Sequence, residues 1–308
     1  MVSYPFAAIV VIYAGSFAYL YRRCSDHLPL KKYLSNHALL LAPLNFLFTY
    51  FIVGKQSPIL DPRIVPGLDK IKENYPVIRS EAKALLDTGV FQRRPAADEP
   101  GYNTFEKGGW RLYPLKWYAK ECRHTAKEMC PRTCAIMDSV PTIRAAMFTV
   151  LPPGARLGRH HDPIASSLRY HLGLVTPNSE KCALTLDGIQ YPWRDGEELL
   201  FDQTYLHSAV NQTETPRVIL FCDVEKTPLV GPVKRFADAV NYTLVAKFTG
   251  TNDQGKLSWV SRAYRPIYRV RSFVKEQIKP RSIVAYNIIK FGSIAAVLFG
   301  LYWISRSS

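Results

Sequence analysis

Two histidines and an aspartate near the middle of the chain have the residue types and spacing of a mononuclear iron site. His160 and Asp162 lie two residues apart, and His207 follows a stretch that has the character of β structure. Successive strand side chains alternate in direction, so His160 and Asp162 would face one metal while His161 points away. Two histidines and a carboxylate are the ligands of non-haem Fe(II) oxygenases, which keep the opposite positions open. The alternative is a solvated loop, because this short pattern also arises by chance.

An arginine ten residues beyond His207 is suitably placed to bind a dicarboxylate beside that metal. Arg217 follows a turn-rich segment, residues 211–216, and begins an apolar run. We expect a hairpin to return Arg217 close to His207, where its guanidinium would bind the carboxylate of a 2-oxoglutarate cosubstrate through paired hydrogen bonds. Without the two histidines, Arg217 would be interpreted as a surface charge at the end of a strand.

Short apolar runs separated by Gly and Pro turns fill the region from Ala145 to Val224. Many short strands at this pitch are typical of an antiparallel sandwich or barrel. We predict a mainly β domain with a double-stranded β-helix, the jelly-roll core of cupins, and flanking helices, because this fold suits the predicted ligand placement. The predicted domain covers residues 59–235, between an N-terminal segment of residues 1–58 and a C-terminal segment of residues 236–308.

One of these runs predicts a polar cavity wall. In the run 168–174, Arg169, His171 and Gly173 share one side of a strand, and apolar side chains share the other. The apolar side should face a core, and the polar side should face a cavity that suits a carboxylate. A core histidine with satisfied hydrogen bonds is an equally good interpretation of His171.

The net charge of the 308-residue chain is +15, from 40 basic and 25 acidic residues. This excess predicts an anionic partner, such as a phospholipid surface, a phosphorylated glycolipid or nucleic acid. Nucleic acid is the least favoured of these, because the basic residues cluster beside apolar segments and do not interleave with aromatic residues in a recognisable module.

The six cysteines do not have the spacing of a disulfide framework, and a chain of this length does not need one. Cys122, His124, Cys130 and Cys134 are close along the chain, but their spacing is not a standard zinc pattern. We therefore expect buried or reduced thiols in preference to a metal site.

Apolar segments at both ends of the chain predict attachment to a membrane. Residues 4–21 are uncharged and are followed by Arg22 and Arg23, which favours a membrane anchor over a buried core helix. Residues 38–53 predict a re-entrant, interfacial or domain-docked segment, because the run is short. Residues 283–304 predict a segment that dips into the bilayer, because the run contains a lysine.

A basic stretch, residues 256–281, precedes the last apolar segment. Its apolar residues recur at spacings of three and four, which is the pattern of a helix on a membrane surface. The alternative is a core-packing helix with a solvated face. Positive charge lies on the domain side of both terminal segments, so the positive-inside tendency predicts a cytoplasmic domain.

The order of these residues resembles the aspartyl/asparaginyl β-hydroxylase family. The resemblance lies in His160, the Arg-Tyr-His-Leu-Gly-Leu sequence at 169–174, His207, Arg217 and the Phe-Cys-Asp-Val sequence at 221–224. It implies a jelly-roll dioxygenase that uses Fe(II), 2-oxoglutarate and O₂.

The resemblance also implies which residues bind the metal. His160 and His207 match the two iron-binding histidines of the family. The members that modify proteins have glycine where this chain has Asp162 and bind iron with the histidines alone. Asp162 therefore restores the usual third ligand, which argues against a protein aspartyl side chain as the substrate.

A further set of matches implies the binding site of the cosubstrate. Arg217 matches the arginine that binds the far carboxylate of 2-oxoglutarate, and Thr149 lies where a hydroxyl residue assists it. Arg169 and His171 match residues that approach the near carboxylate.

The wider chain is similar to a membrane-associated branch of the family, the lipid A 2-hydroxylases of Gram-negative bacteria. The sequences Phe-Ala-Ala-Ile at 6–9 and Ala-Pro-Leu-Asn at 42–45 resemble that branch. The resemblance implies hydroxylation at C2 of a secondary acyl chain of lipid A, an anionic glycolipid, on the cytoplasmic side of the bacterial inner membrane. The alternatives are a dioxygenase acting on a peptidyl Asp or Asn or on another acyl lipid, and a non-catalytic membrane adaptor.

Overall fold

Two antiparallel sheets pack face to face and form the centre of the molecule. The computed structural model describes residues 4–34, 40–54, 56–91, 109–248, 259–286, 288–289 and 292. The strands in these residues are β1 (Ile59–Leu60), β2 (Arg111–Trp117), β3 (Ile143–Leu151), β4 (Arg156–His160), β5 (Ser167–Val175), β6 (Cys182–Leu186), β7 (Ile189–Pro192), β8 (Glu198–Phe201), β9 (His207–Asn211) and β10 (Arg217–Glu225).

The strand order has the alternation of a double-stranded β-helix. The six-stranded sheet has the order β1-β8-β5-β10-β3-β2, and the four-stranded sheet has the order β4-β9-β6-β7. From β3 to β6 the chain changes sheet at every strand, and it changes again from β7 to β8, from β8 to β9 and from β9 to β10. The jelly-roll core with flanking helices that the sequence predicts is therefore confirmed. The hairpin predicted between His207 and Arg217 is wrong, because β9 and β10 belong to opposite sheets.

The six-stranded sheet is buried on both faces. Its inner face meets the four-stranded sheet in one apolar cluster, which includes Phe221 from β10 and Leu184 from β6. Its outer face packs against α4 (Leu68–Glu73), α5 (Tyr75–Thr88), α6 (His124–Met129) and α7 (Pro131–Asp138). Burial on both faces is consistent with the unbroken apolar stretches at residues 145–148 in β3 and 218–222 in β10.

A glycine in β5 fixes the connection between β7 and β8. A Cβ atom at Gly173 would lie 2.0 Å from the carbonyl oxygen of Arg194, so a larger residue would displace that backbone. The Gly173 N–H donates to the carbonyl of Glu197 at 2.9 Å, and its carbonyl accepts from the Gly196 N–H at 2.8 Å. The close approach holds the segment that carries Trp193 against the sheet.

The N-terminal helices pack on the jelly-roll. They are α1 (Tyr4–Arg22), α2 (Leu30–Leu34) and α3 (Ala42–Tyr50). The buried amide of Asn45 in α3 donates to the carbonyl of Pro163 and accepts from the Ala165 N–H, both at 2.9 Å. The run 38–53 therefore contains a domain-docked helix, which is one of the alternatives that the sequence leaves open.

Arg23 is not the membrane-flanking charge that the sequence suggests. Its guanidinium donates to Thr204 Oγ1 at 2.8 Å and forms an ion pair with buried Asp202 at 3.3 Å. Two backbone N–H groups, of Ser25 and Asp26, then donate to the carboxylate of Asp187. These contacts attach the end of α1 to the loops of the jelly-roll.

The C-terminal region contains α8 (Gly231–Thr243) and α9 (Trp259–Phe273). Helix α9 exposes Ile267, Val270 and Phe273 to more than 60% each, beside basic residues such as Arg269. Within the residues that the structure covers, no helix combines the length and the apolar character that crossing a membrane requires. Most of the predicted segment 283–304 lies outside the described residues.

Candidate active site

The three predicted metal ligands meet between the sheets. His160, the last residue of β4, is directly paired with His207, the first residue of β9, and their ring centroids are 4.2 Å apart. Asp162 Oδ1 lies 3.5 Å from His160 Nε2 and 3.8 Å from His207 Nε2. One ligand atom from each residue lies within 4.8 Å of the other two. The sequence had suggested that Asp162 belongs to the same strand as His160. In the structure it follows the end of β4, and its N–H donates to the carbonyl of Gln203.

Both histidine rings are oriented by their own backbone. Nδ1 of His160 bonds to the carbonyl of Gly158 at 2.8 Å, and Nδ1 of His207 bonds to the carbonyl of Tyr205 at 2.9 Å. A carbonyl only accepts, so each Nδ1 carries a proton, and Nε2, which faces Asp162, is left as the nitrogen that can bind a metal. Such outer contacts are what a metal-binding histidine needs to hold its tautomer and orientation. The three residues therefore fit a divalent metal ion.

His161 points away from this cluster, as the sequence predicted, although β4 already ends at His160. Its Nδ1 bonds to the carbonyl of Thr204 at 2.8 Å, and its Nε2 bonds to the hydroxyl of Tyr33 at 3.0 Å. The residue between two candidate ligands is thus linked to the N-terminal helices.

A chain of buried polar groups holds the carboxylate of Asp162. Arg169 donates to Asp162 Oδ2 at 2.9 Å and to Asp223 Oδ1 at 2.8 Å, and the Tyr118 hydroxyl donates to Asp223 Oδ2 at 3.0 Å. Arg169 was expected to approach a cosubstrate carboxylate. The structure gives it two protein carboxylates instead, which makes it the residue that orients Asp162.

The charges of the cluster favour an ionised aspartate and neutral imidazole at His207. Burial alone would raise the pKa of Asp162, but Arg169 and the two histidines hold it well below its ordinary value. Burial, with the charge of His160, lowers the pKa of His207 to about 3. Deprotonated ligands are the form that a metal ion binds.

A second group of residues surrounds Arg217, which is 0% exposed. Its Nη1 donates to Thr149 Oγ1 at 3.1 Å, while its Nε and Nη2 have no hydrogen-bond partner among the described residues. The guanidinium lies over the rings of Trp193 and Trp110, at 4.3 and 4.6 Å from their centroids. Burial lowers the pKa of Arg217 to about 9. A buried cation with two unused donors is suited to an anionic ligand with several oxygen atoms.

His171 connects the Arg217 group to the metal-ligand cluster. Its ring lies 5.0 Å from that of Phe201, which in turn lies 6.0 Å from the ring of His207, and it lies 6.1 Å from Trp193. Neither ring nitrogen has a hydrogen-bond partner within the described part of the chain, so the interpretation as a satisfied core histidine is wrong. Burial first, and then Arg169 and Arg217, hold its pKa well below the ordinary value.

Asp223, Trp110 and Trp193 belong to the site but were not assigned a role from the sequence. Asp223 was detectable by strand alternation, because it shares the inner side of β10 with Arg217 and lies opposite Arg169 in β5. Trp110 and Trp193 lie outside the strands and carried no such signal.

The cysteines form no second metal site in the described residues, where the cluster of His160, Asp162 and His207 is the one group that could hold an ion. All six cysteines are free and buried. Burial raises the pKa of Cys130 to about 12, so its thiol stays protonated.

Comparison with known proteins identifies relatives over this same region. Residues 72–227 match the family model described as aspartyl/asparaginyl beta-hydroxylase. The chain is 32% identical over 193 residues to the ornithine lipid ester-linked acyl 2-hydroxylase of Rhizobium tropici, covering 61% of this chain and 66% of that protein. It is 27% identical over 175 residues to the human aspartyl/asparaginyl beta-hydroxylase, covering 55% of this chain and 22% of that protein. The chain therefore spans less than two thirds of the length of these relatives.

The solved structures that resemble this chain include proteins with cupin domains. A predicted oxalate decarboxylase of Thermotoga maritima is 16% identical, with a TM-score of 0.25, and the match covers 38% of this chain and 80% of that one. The Cupin_2 domain of an XRE family transcriptional regulator from Enterobacter cloacae is 12% identical, with a TM-score of 0.26 and coverage of 37% and 95%. The fold is assigned from the strand order of the two sheets and not from these similarities.

Proposed function

Because the chain belongs to the aspartyl/asparaginyl β-hydroxylase family, we propose that it is an Fe(II)- and 2-oxoglutarate-dependent dioxygenase that hydroxylates C2 of a secondary acyl chain of lipid A. The observation that carries this proposal is the combination of two sites in one inter-sheet space. A cluster of two histidines and an aspartate lies close to a buried arginine without a carboxylate partner among the described residues.

His160, Asp162 and His207 would hold the iron on one face. With 2-oxoglutarate and O₂, bound iron supplies the oxidation: one oxygen atom enters the C–H bond, and the other enters the succinate that forms as CO₂ is lost. The two backbone carbonyls keep the imidazole lone pairs directed at one point, and Arg169 keeps Asp162 ionised. The chain's own contribution is therefore to orient the ligands before the reactants bind.

Arg217 and Thr149 would hold the far carboxylate of 2-oxoglutarate. The free Nε and Nη2 donors of Arg217 provide the paired hydrogen bonds that a carboxylate accepts, and the Thr149 hydroxyl lies 3.1 Å from Nη1. His171, with both ring nitrogens unpartnered, lies between this arginine and the metal ligands, where a bound oxo-acid would pass.

Several properties support an acyl lipid as the substrate. The relative from Rhizobium tropici is named as an acyl 2-hydroxylase of a lipid. Helix α1 exposes the apolar residues Ile9, Val10, Val11 and Ile12, and α9 exposes an apolar face beside basic residues. The net charge of +15 favours lipid A, because its phosphates are anionic. We place the reaction at the cytoplasmic face of the bacterial inner membrane.

The test is mass spectrometry of lipid A from bacterial cells that do or do not express the chain. We expect a species heavier by one oxygen atom, on a secondary acyl chain, in the expressing cells alone. Cells that express His207→Ala at an equal level should lack that species. Unmodified lipid A in cells with the folded wild-type protein would contradict the proposal.

A second candidate substrate is an ornithine lipid, which is favoured by the 32% identity to the rhizobial enzyme. Purified protein with Fe(II) and 2-oxoglutarate would be given each lipid separately, and a peptide that contains Asp and Asn as a third arm. Hydroxylation of lipid A at a higher kcat/KM than that of ornithine lipid supports our choice. A higher kcat/KM for ornithine lipid would make ornithine lipid the proposed substrate instead.

A further inference from the structure

A small slot lies between the N-terminal helices and the candidate ligand Asp162. Its lining combines Phe17, Leu20 and Tyr21 of α1 and Tyr33 of α2 with five polar residues, of which Asp162 is one. We refer to it as the α1 slot. Its volume is about 40 Å³, which is room for only a few water-sized groups. The slot is therefore too small for a sugar ring and has room for only a short part of an unbranched chain.

The side of the α1 slot that α1 and α2 form is mostly aromatic and is connected to the metal-ligand cluster. The ring of Phe17 lies 5.5 Å from that of Tyr33, and Tyr21 lies 5.5 Å from the same ring. The Tyr33 hydroxyl is bonded to His161, whose neighbours in sequence are His160 and Asp162. Movement of this aromatic wall would therefore displace the candidate ligands, so the wall has a defined position relative to them.

One face of α1 continues from the slot to the surface. Leu20, Phe17, Tyr13 and Val10 are spaced by three and four residues, so they lie along one side of the helix over roughly 15 Å. Val10 is 50% exposed, and its neighbours Ile9 to Ile12 are exposed to a similar degree. Exposed apolar surface of this kind belongs in contact with lipid and not with water. The face thus joins a lipid-compatible surface to the metal-ligand cluster.

We propose that the α1 slot is the acyl-chain binding site, and that the tail of the lipid lies along the Val10–Leu20 face of α1 while its reacting end reaches Asp162. This inference rests on the proposed function and adds where the substrate binds and which residues select it. The occupant follows from three observations: a candidate metal ligand lines the slot, the residues that α1 and α2 contribute to it are aliphatic or aromatic, and its exposed continuation is an uncharged helix face.

The first experiment narrows the slot in the full-length protein. Leu20→Trp fills the space. Met129→Trp is the matched control, because Met129 is 44% exposed and lies on α6, which packs on the outer face of the six-stranded sheet. Each protein is supplied with Fe(II), 2-oxoglutarate and lipid A in vesicles of phosphatidylethanolamine and phosphatidylglycerol. We expect at least a tenfold loss of hydroxylated lipid A in Leu20→Trp and less than a twofold change in Met129→Trp. If Leu20→Trp hydroxylates lipid A at the wild-type rate, the α1 slot is not the acyl-chain binding site.

The second experiment does not depend on how well the tryptophan variant folds. p-Benzoylphenylalanine replaces Phe17 or, as a control, Met129, and the protein is irradiated in the same vesicles. We expect a covalent adduct with the mass of lipid A from position 17 and none from position 129. If wild-type protein hydroxylates lipid A but position 17 yields no adduct, the slot is wrong and the proposed function stands. If wild-type protein hydroxylates no acyl lipid, the proposed function itself is wrong.

Discussion

Two arginines on the inner face of the six-stranded sheet differ in what neutralises their charge. Arg169 donates to Asp162 and Asp223, at 2.9 and 2.8 Å. Arg217 is also buried, but it donates to one hydroxyl and lies against two indole rings, with no ion pair among the described residues. Placing an unpaired charge in an apolar interior is costly, so the two arginines must serve different purposes.

The difference separates the part of the site that belongs to the fold from the part that belongs to a ligand. The protein itself supplies the partners of Arg169, so this arginine stabilises the folded chain and orients Asp162. The partner of Arg217 has to come from outside, so this arginine contributes to binding and not to folding. Variants that remove each charge while keeping side-chain volume should therefore have opposite signatures.

The largest loss of stability is expected for the variant Arg169→Met. This variant leaves Asp162 and Asp223 buried without their cation, which should cost about 3–5 kcal/mol of the free energy of unfolding of the metal-free protein. Urea denaturation at neutral pH measures the loss. The matched control is Arg159→Met, because the Arg159 side chain is 47% exposed and its pair with Asp26 should contribute at most about 1 kcal/mol. Equal losses in the two variants would refute the role given to Arg169.

Arg217→Met should change binding and leave stability nearly unaltered. Because the variant orphans no carboxylate, the free energy of unfolding of the metal-free protein should fall by no more than about 1 kcal/mol. The affinity for 2-oxoglutarate should fall at least about 30-fold, which corresponds to about 2 kcal/mol. Calorimetric titration of the Mn(II)-loaded protein with 2-oxoglutarate provides the measurement. The comparison fails if this variant unfolds as readily as Arg169→Met.

The histidine between the two arginines should make the stability of the metal-free protein depend on pH. The folded-state pKa of His171 lies well below its unfolded value, because of burial and the two nearby guanidinium groups. The unfolded chain therefore binds a proton below about pH 6.5 that the folded chain does not, and stability falls as the pH is lowered. His171→Leu should reduce that slope by up to about 1.4 kcal/mol per pH unit. Urea denaturation at pH 7 and pH 5 tests this, with exposed His124→Gln as the control; an unchanged slope in His171→Leu would contradict it.

The sequence predicted the parts of this site that depend on local pattern. Alternation in β5 placed Arg169 and His171 on one side, and the spacing of His160, Asp162 and His207 indicated the ligand set. It could not say which sheet each strand joins, because pairing partners are distant in sequence. The hairpin between His207 and Arg217 was wrong for this reason. The sequence also did not reveal that Arg23 pairs with Asp202. Two arginines after an apolar run have the same sequence pattern whether their side chains lie at a membrane surface or contact a buried carboxylate.

Arg23 provides a third, intermediate case that sharpens the comparison. Its carboxylate partner Asp202 is shared with Lys226, whose Nζ lies 3.1 Å from Asp202 Oδ2. Removing Arg23 therefore leaves no buried carboxylate without a cation, and Arg23→Met should cost only about 1 kcal/mol of the free energy of unfolding. The larger consequence should be local: because Arg23 ties the end of α1 to the jelly-roll, amide hydrogen exchange in residues 13–22 should accelerate while that of β10 stays unchanged. If Arg23→Met loses as much free energy of unfolding as Arg169→Met, the second cation beside Asp202 does not compensate for the loss of Arg23. That result would contradict the distinction among the three arginines.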